Sequence, residues 1–445
     1  MKITYLRVDI EPTSPFRVGS LGGVRNALAV ETDSNGVPVV PASGLAGNFR
    51  VHIGEAEANR HMGRGESTKG GSLFVASELW FLGTTLDETA EKRPRTATAI
   101  DRRRRAARND SSHTVEEVYD ATLIKLYLRY ESPAEDILDL LATWPVLIGG
   151  GVSSGLGQAR ITGIRYRTLD MSKAEDVLAR ASLSAPGAEA LDTLLADAPD
   201  YLAEDGAPAP AKGMPVVFSA SCRIQGLNVP VDALTDEPRS DHFWFRGTSW
   251  KGVLRSRVEY IGRSLGLDVC GTDGGTWDGC GRCGVCEAFG SSATGVGRWS
   301  FSFTKLAEDA ARTDRTRGAI DRFTGGAAEI SKGDGGGTRS GRLFPERTLS
   351  DENARLTVGL LVEEELDPRH FWVRKALLLA LRDLDEGFIG IGGRTATGLG
   401  TVTFDNLTLG SDLADTELEP ETGLSSVPRI TQQDLDAALQ PKEEQ

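Results

Sequence analysis

Residues 149–161 read GGGVSSGLGQARI, and residues 391–404 read IGGRTATGLGTVTF. Each stretch is a glycine-rich loop that leads into an alternating, strand-like segment. A G-x-G-x-x-G dinucleotide loop follows a strand and opens a helix, whereas these loops follow a helical pattern and open a strand. This reversed context argues against a dinucleotide site. We expect either tight structural turns or bare-backbone surfaces whose N–H groups hold phosphates.

The two loops belong to a longer internal repeat. VVPASGLAGNFR (39–50) is similar to FRGTSWKGVLRS (245–256), and TAIDRRRRAA (98–107) is similar to GAIDRFTGGAA (318–328). The three pairs of landmarks occur in the same order, and the spacing between partners grows along the chain. This order predicts a duplicated unit with insertions in the second copy.

Both units have the same coarse pattern of elements. Alternating apolar segments, ITYLRVDI and PVVFSASCRI, predict an opening strand for each unit, and a helix follows. A second helix is predicted where an N-cap residue precedes proline, at Ser132-Pro133 and at Asp367-Pro368. The resulting order β-α-β-β-α-β predicts an α+β fold with two tandem ferredoxin-like domains.

Domain boundaries follow from this pattern. The predicted segments are a first domain, a partly helical connector, a second domain and an acidic tail, at residues 1–168, 169–212, 213–408 and 409–445. From Asp405 onward, ten acidic residues stand against Arg429 and Lys442. Such a charge run is expected to form a solvated appendage.

The composition is that of an ordinary globular protein. The chain has 445 residues, 39% hydrophobic and 26% charged, without a run of 18 apolar residues that would predict a membrane helix. Its start has no apolar signal segment, so we expect a cytoplasmic protein. The net charge of −14 argues against polyanion binding over the whole surface, but basic residues cluster between Lys92 and Arg108 and between Lys251 and Arg322.

Four of the five cysteines lie in the segment CGTDGGTWDGCGRCGVC. Cys270, Cys280, Cys283 and Cys286 have the spacing C-x9-C-x2-C-x2-C, and four thiolates on a glycine-rich loop can close a tetrahedral Zn²⁺ site. Such a zinc is structural, because no ligand position remains for water. Free thiols and an iron–sulfur site are the alternatives. Cys222, alone on a predicted strand, is expected to be a core residue.

Polar and basic residues mark the predicted first helix of each unit. Ser43 and Ser249 lie at the helix starts, where free N–H groups and hydroxyls favour a phosphate. Lys251 and Arg255 lie one turn apart on one face, and Arg50 holds the place of Arg255 in the first unit. The alternative is helix capping with a solvated charged face.

Taken together, these segments resemble the RAMP superfamily of CRISPR-associated proteins. The segments that carry the resemblance are GTSWKGVLRS, the CEAFG after the cysteines, AIDRFTGGAA and GGRTATGLG. The full set in order looks like the backbone subunits of type III effector complexes. Such subunits have a ferredoxin-like core, wrap CRISPR RNA, engage target RNA and other effector subunits, and use an inserted hairpin thumb to displace bases.

The resemblance implies contacts to the RNA backbone that do not depend on base sequence. Together with the motifs above, it places them at Ser43, Arg50, Arg102, Gly150, Gly155, Ser249, Lys251, Arg255, Arg322, Gly393, Arg394 and Gly398. The stretch after each Ile-Asp-Arg, especially residues 333–341, is expected to form or adjoin the thumb.

Some family members cut target RNA with an aspartate in the loop before the first helix. Counting back from the helix-start motif leads to Asp232, with Asp236 and Asp241 less well placed; in the first unit the count leads to Arg25 and Asn26. The resemblance thus implies one endoribonuclease site, in the second unit, served by a divalent metal such as Mg²⁺. The alternatives are a structural subunit that binds guide RNA and cuts nothing, and a guide-processing endoribonuclease, which the scattered histidines support poorly.

Overall fold

A computed structural model describes most of the chain, namely residues 2–19, 27–68, 71–101, 106–183, 187–229, 244–267, 269–270, 279–291, 293, 295–326, 329–330, 339–340, 343–413 and 423–439. The chain divides into two compact units, Met1–Met214 and Pro215–Gln445. Both units combine helices with β-sheet, so the predicted α+β class is confirmed. Within the described ranges, no helix is long and apolar enough to cross a membrane.

The main sheet of the first unit is built around its first strand. The elements of this unit in chain order are β1 (Lys2–Pro12), β2 (Ala27–Leu28), α1 (Ala42–His61), β3 (Arg64–Thr68), β4 (Gly71–Val75), β5 (Leu79–Leu86), β6 (Glu91–Asp101), β7 (Ala106–Tyr119), β8 (Ile124–Tyr130), α2 (Glu135–Ala142), β9 (Ala159–Asp170), α3 (Ala174–Ser182) and α4 (Ala188–Leu194). The strand order is β5-β8-β1-β9, and all neighbours are antiparallel. Leu6 of β1 is paired with Leu128 on one side and with Tyr166 on the other.

Both faces of β1 are covered by apolar side chains. Successive side chains of a strand point to opposite faces of the sheet, and each face of β1 belongs to a different apolar cluster. Val8 belongs to the main core, together with Phe49 of α1 and Ile137 of α2. Tyr5, on the opposite face, belongs to a smaller apolar cluster with Leu191 of α4. Part of the predicted connector therefore contributes helices to the first unit.

The second unit repeats this arrangement. Its elements in chain order are β10 (Val216–Val229), β11 (Trp244–Phe245), α5 (Gly247–Ser264), α6 (Gly284–Phe289), β12 (Trp299–Phe301), β13 (Thr304–Lys305), β14 (Ala311–Gly318), β15 (Glu329–Ile330), β16 (Arg339–Ser340), β17 (Leu343–Leu360), α7 (Trp372–Asp385), β18 (Thr401–Leu409) and α8 (Gln432–Ala438). The strand order is β12-β17-β10-β18, with the opening strand β10 again between a central strand and the last strand. Each unit also has a long hairpin. In the first unit β6 and β7 form a separate sheet with β2, and in the second unit β14 pairs with the first part of β17 and so joins the main sheet.

Helices α5 and α7 pack closely in the core of the second unit. Trp250, Leu254 and Val258 lie one turn apart along α5 and are fully buried, which gives the helix one apolar face. A Cβ at Gly262 would lie 2.7 Å from the ring of Trp372 on α7. Glycine at this position therefore lets the tryptophan pack against α5.

The two predicted proline helix starts differ in outcome. Asp367 accepts a hydrogen bond from the Arg369 N–H (3.0 Å) and caps the 3₁₀ turn that leads into α7, as an N-cap residue does. In the first unit the prediction is wrong, because α2 begins at Glu135, two residues after the proline. Ser132 Oγ instead donates a hydrogen bond to Glu78 (2.7 Å).

The C-terminal tail is only partly the solvated appendage that its charge predicts. Leu424 and Val427 are buried in the core of the second unit. Asp412 is also buried, where its Oδ1 accepts hydrogen bonds from Arg298 and Arg374, both at 2.9 Å. The prediction is wrong for these residues, because apolar side chains and a carboxylate paired with two arginines are stable in a protein interior.

Candidate nucleic-acid interface and metal centre

The two glycine loops have the same backbone geometry. Each contains one 3₁₀ turn flanked by two residues in the left-handed region. These are Gly151 (φ 82°) and Gly155 (φ 84°) in the first unit, and Arg394 (φ 61°) and Gly398 (φ 82°) in the second. Residues other than glycine are uncommon at positive φ, so Arg394 is held in this conformation by its surroundings.

Both loops close through one backbone hydrogen bond and one close glycine contact. The N–H of Ile148 donates to the carbonyl of Gly157, and the N–H of Ile391 donates to the carbonyl of Gly400, both at 2.8 Å. Both glycines have φ 71°, and a Cβ on them would lie 2.0 Å and 1.9 Å from the carbonyl oxygens of the two isoleucines. The turns themselves therefore require these two glycines.

The predicted contact glycines differ in exposure. Gly150, Gly393 and Gly398 are exposed, so bare backbone faces outward at both loops. Gly155 is buried. The prediction of an RNA contact at Gly155 therefore does not fit the structure, where this glycine supplies the left-handed residue that ends the turn.

An arginine that the sequence motifs did not indicate lies beside the first glycine loop. The N–H of Gly150 donates to the carbonyl of Arg17 at 2.9 Å, so the backbone of Arg17 lies next to the loop. Among the described residues, its buried Nε has no hydrogen-bond partner. No local pattern shows that the segment after β1 pairs with this loop, which is why Arg17 was missed.

The second glycine loop has its arginine at a different position. Asn228 lies where Arg17 lies in the first unit, with its Nδ2 3.3 Å from the Cβ position of Gly393. Arg394 is part of the loop itself, and its Nη1 donates to Oε2 of Glu346 at 2.9 Å. Each loop thus has one arginine, which comes from a different segment in each unit.

The helix starts of α1 and α5 lie at the predicted residues. The residue before each helix makes no side-chain capping hydrogen bond. Ser43 is exposed, whereas Ser249 and Lys251 are half-buried. Burial, and then the nearby charge of Arg255, lowers the pKa of Lys251 to about 8. The lysine is still mostly protonated at pH 7, so a phosphate approaching this helix start would meet a positive charge.

Arg255 and Arg50 are engaged within their own units. Arg255 donates from Nε to Oε1 of Glu259 (2.9 Å) and from Nη1 to the carbonyl of Gly290 (2.6 Å), and its Nη2 lies 3.6 Å from Sγ of Cys286. Arg50 likewise donates to a backbone carbonyl and to a side-chain amide oxygen. The prediction that these two arginines bind RNA phosphates does not fit this geometry, because internal acceptors already hold their guanidinium groups.

Ile100 and Asp101 lie at the far end of the β6–β7 hairpin, where they pair with Ala107 and Ala106. The second Ile-Asp-Arg element follows the end of β14, where Gly318 pairs with Leu343 of β17. Ile100 and Ile320 are 55% and 68% exposed, and Phe323 is 99% exposed. Asp321 accepts hydrogen bonds from the backbone of Thr324 and Phe323, which shapes the turn and lowers the pKa of this carboxyl group. Arg322 is exposed beside it. The turn therefore presents an aromatic ring and a cation to solvent.

Some predicted residues lie outside the described part of the chain. They include Arg102 and most of the proposed thumb region, residues 333–341, in which only the short strand β16 is described. The candidate catalytic Asp232, with Asp236 and Asp241, also lies outside the described residues.

The four clustered cysteines meet at one place. The sulfur atoms of Cys270, Cys280, Cys283 and Cys286 all lie within 4.8 Å of one another, with 3.4 Å between Cys270 and Cys286 and 3.7 Å between Cys283 and Cys270. Tetrahedral zinc with Zn–S bonds of about 2.3 Å needs sulfur separations of about 3.8 Å. The four thiols can therefore hold a metal ion, and both the donor set and its spacing fit Zn²⁺.

The electrostatics of the cluster favour a thiolate at Cys286. Hydrogen bonds from Cys270 and Cys283, together with the charge of Arg255, lower the pKa of Cys286 to about 3. The same hydrogen bonding, with burial, raises the pKa of Cys283. Cys222 lies apart on β10, where it is buried and where burial raises its pKa to about 12, as expected for an inert core residue.

Comparison with known proteins supports part of the predicted resemblance. No curated protein matches the chain. The family model of the RAMP superfamily matches residues 206–403, a stretch that contains the four cysteines, the second Ile-Asp-Arg and the second glycine loop. This match supports a member of the RAMP superfamily through the second half of the chain.

Proposed function

We propose that the chain is a tandem backbone subunit of a type III CRISPR ribonucleoprotein, which binds CRISPR RNA and positions target RNA. A RAMP domain implies a CRISPR-associated RNA-binding function. The observation that carries the proposal is the shared geometry of the two glycine loops, with the same left-handed positions, closing hydrogen bond and close glycine contact. The family match covers residues 206–403, and this repetition supports the same type of domain in the first unit.

In this proposal each unit is a ferredoxin-like RAMP domain. β1 lies between β8 and β9, and β10 lies between β17 and β18. A helix follows each opening strand, and another precedes each last strand. The repeated order of strands and helices supports two tandem domains of the β-α-β-β-α-β type.

The RNA contacts in this proposal are directed at phosphates. Exposed glycines such as Gly150 and Gly393 let the RNA backbone approach closely, while Arg17, Lys251 and Arg394 supply positive charge. Arg394 pairs with Glu346 through Nη1, but its side chain is still 38% exposed, whereas that of Arg255 is 13% exposed. Contacts of this kind fix the register of a nucleic acid without reading its bases. They would therefore suit a subunit that holds guides of many sequences.

The hairpin turn of the second unit supplies a different kind of contact. Phe323 is almost fully exposed at this turn, with Arg322 beside it. An exposed aromatic ring is a platform on which any base can stack. We assign this turn, with the neighbouring residues 333–341, to the thumb that displaces bases from the guide–target duplex.

Target cleavage in this proposal belongs to Asp232 of the second unit. In cleavage of RNA by transesterification, the 2′-oxygen attacks the adjacent phosphate, loses its proton to a base and forms a 2′,3′-cyclic phosphate, while the 5′-oxygen leaves and is protonated. This step needs the 2′-hydroxyl in line with the scissile bond, which a displaced base allows. A carboxylate near that phosphate can hold Mg²⁺ or assist proton transfer. The first unit has Arg25 and Asn26 at the corresponding place and would bind without cutting.

A cleavage assay with the assembled complex tests the catalytic part of the proposal. The proposal predicts one cleavage site per chain. Asp232→Asn should abolish that cut and leave RNA affinity nearly unchanged, because it removes chemistry and no phosphate contact. Asp236→Asn is the matched control and should cut normally. Full cleavage by the Asp232 variant would contradict the assignment to Asp232, and the structural subunit would be favoured only if substitution of Asp236 and Asp241 also left cleavage unchanged. Cleavage of repeat RNA by the isolated chain would favour the guide-processing nuclease.

A further inference from the structure

Arg255 joins helix α5 to the four-cysteine loop. Its Nη2 lies 3.6 Å from Sγ of Cys286, its Nη1 donates to the carbonyl of Gly290, and its Nε donates to Glu259. Gly290 follows the last residue of α6, the short helix that contains Cys286. We propose that Arg255 is a positioning residue of the metal site, which holds Cys286 and the end of α6 in the geometry that metal binding requires.

The surroundings of Arg255 keep its guanidinium group in place. The Arg255 side chain is 13% exposed and that of Glu259, one turn later on α5, is 0% exposed. A buried carboxylate therefore fixes one edge of the guanidinium, and the fold directs the other edge at the cysteine loop. Four thiolates around a divalent cation leave excess negative charge, which an N–H donor to sulfur stabilises.

The cysteine loop leaves room for this contact. A Cβ at Gly279 would lie 2.8 Å from Sγ of Cys286 and 3.5 Å from Nη2 of Arg255. Glycine at this position, with φ 84°, lets the loop pass beside both groups. Arg263, two turns further along α5, lies 3.4 Å from the carbonyl of Cys270, so the same helix contacts both ends of the cysteine segment.

In the first unit, Arg50 holds the place of Arg255, and this unit contains no cysteine. Arg50 donates to the carbonyl of Gly63 at 3.2 Å and to Oδ1 of Asn59 at 3.0 Å, and both acceptors are neutral. All five cysteines of the chain lie in the second unit. The arginine thus has a carboxylate and a sulfur as acceptors only in the unit that contains the cysteine cluster.

This inference rests on the proposed metal site, and one experiment separates the two. The full-length chain and its variants are loaded with Zn²⁺ and titrated with a chromophoric chelator, and Co²⁺-loaded samples give the sulfur-to-metal charge-transfer bands. The variants are Arg255→Met, Arg255→Lys and Arg257→Met. Arg257 is the matched control, because it lies on the same helix and pairs with Asp383 at 2.5 Å instead of contacting the cysteine loop.

The affinity for Zn²⁺ should fall about 10–100-fold in Arg255→Met, as it does when an outer partner of a metal ligand is lost. The charge-transfer bands should move to lower energy, because the sulfur loses a hydrogen-bond donor. Arg255→Lys cannot reach all three acceptors and should also lose affinity for Zn²⁺. If Arg255→Met does not fold, the Zn²⁺ affinity of Arg255→Lys tests the role of Arg255. Wild-type affinity in the Arg255 variants, or equal losses in Arg257→Met, would overturn the role of Arg255. A wild-type chain that binds no metal would instead overturn the metal site itself.

Discussion

Nη1 of Arg394 lies 2.9 Å from Oε2 of Glu346, and this ion pair ties the second glycine loop to the hairpin strand β17. Glu346 is 3% exposed, and its other oxygen accepts a hydrogen bond from Arg317 of β14 at 3.0 Å. One buried carboxylate therefore holds the loop and both strands of the long hairpin. The loop and the hairpin turn, which are the two proposed RNA-contacting elements of this unit, are fixed relative to each other.

Glu346→Gln should destabilise the second unit and weaken RNA binding together. The substitution removes the charge that two arginines share. Because the side chains of Arg317 and Arg394 are 35% and 38% exposed, the loss should be about 1–3 kcal/mol. Chemical denaturation and RNA titration of the same sample measure both effects. Glu352→Gln is the control, because Glu352 pairs with Arg223 on an exposed surface and should change stability by less than about 1 kcal/mol.

The closing glycines should be far less tolerant of substitution than the glycines at the loop surface. Gly157→Ala and Gly400→Ala should each lower the free energy of unfolding by more than about 1 kcal/mol, because the new Cβ meets a backbone carbonyl at positive φ. Gly150→Ala is the matched control, since no atom lies within 4 Å of its Cβ position. Urea denaturation of the full chain gives the comparison, and equal losses at all three positions would contradict this view of the turn.

Arg17 should contribute one phosphate contact, and its position should be interchangeable with that of Arg394. Arg17→Ala should weaken RNA binding and reduce the slope of log affinity against log salt by about one. Adding Gly151→Arg to this variant should restore binding, because position 151 has the left-handed backbone of Arg394. The contacts of a Cβ at position 151 are all with the Leu156 side chain, the shortest being 2.7 Å to its Cδ1. A double variant that binds no better than Arg17→Ala would show that the two arginines are not equivalent.

RNA affinity should fall as pH rises through about 8, because the pKa of Lys251 is lowered to about 8 and only the protonated lysine attracts phosphate. Lys251→Arg should shift this loss to higher pH, and Lys251→Ala should remove it. For folding the sign is opposite. The charged lysine is destabilised by burial, so the free energy of unfolding should increase from pH 8 towards the ordinary lysine pKa of 10.5. Titration of RNA binding and of stability over this pH range checks both trends.

Local patterns were enough to predict the opening strand of each unit and the place of each glycine loop. The alternating segments became β1 and β10, and the reversed context of the glycine loops matched their place before β9 and β18. The cysteine spacing likewise indicated the sulfur cluster, because chelating spacings are local. By contrast, Ser132 has the sequence of an N-cap but bonds to Glu78, a residue distant in sequence, so tertiary contacts decided where α2 begins.

The roles of individual arginines were the hardest to predict. Arg255 lies on the helix face that favours phosphate, yet Gly290 and Cys286, which bind it, reach it only through folding of the cysteine segment. Arg17 lies in no motif and reaches the glycine loop through backbone pairing with Gly150. Sequence spacing indicates which residues share a helix face but not which acceptors the rest of the fold brings to them.

The most direct test of a two-unit RNA-binding subunit is the RNA that the purified full-length chain retains. The chain is co-expressed with a CRISPR repeat–spacer transcript, purified at low salt, and its bound RNA is sized and sequenced. We expect RNA of a defined length with no preference for spacer sequence, and less RNA bound when Arg17 and Arg394 are both changed to alanine. A chain that purifies free of RNA and also fails to bind single-stranded RNA at low salt would contradict the proposal.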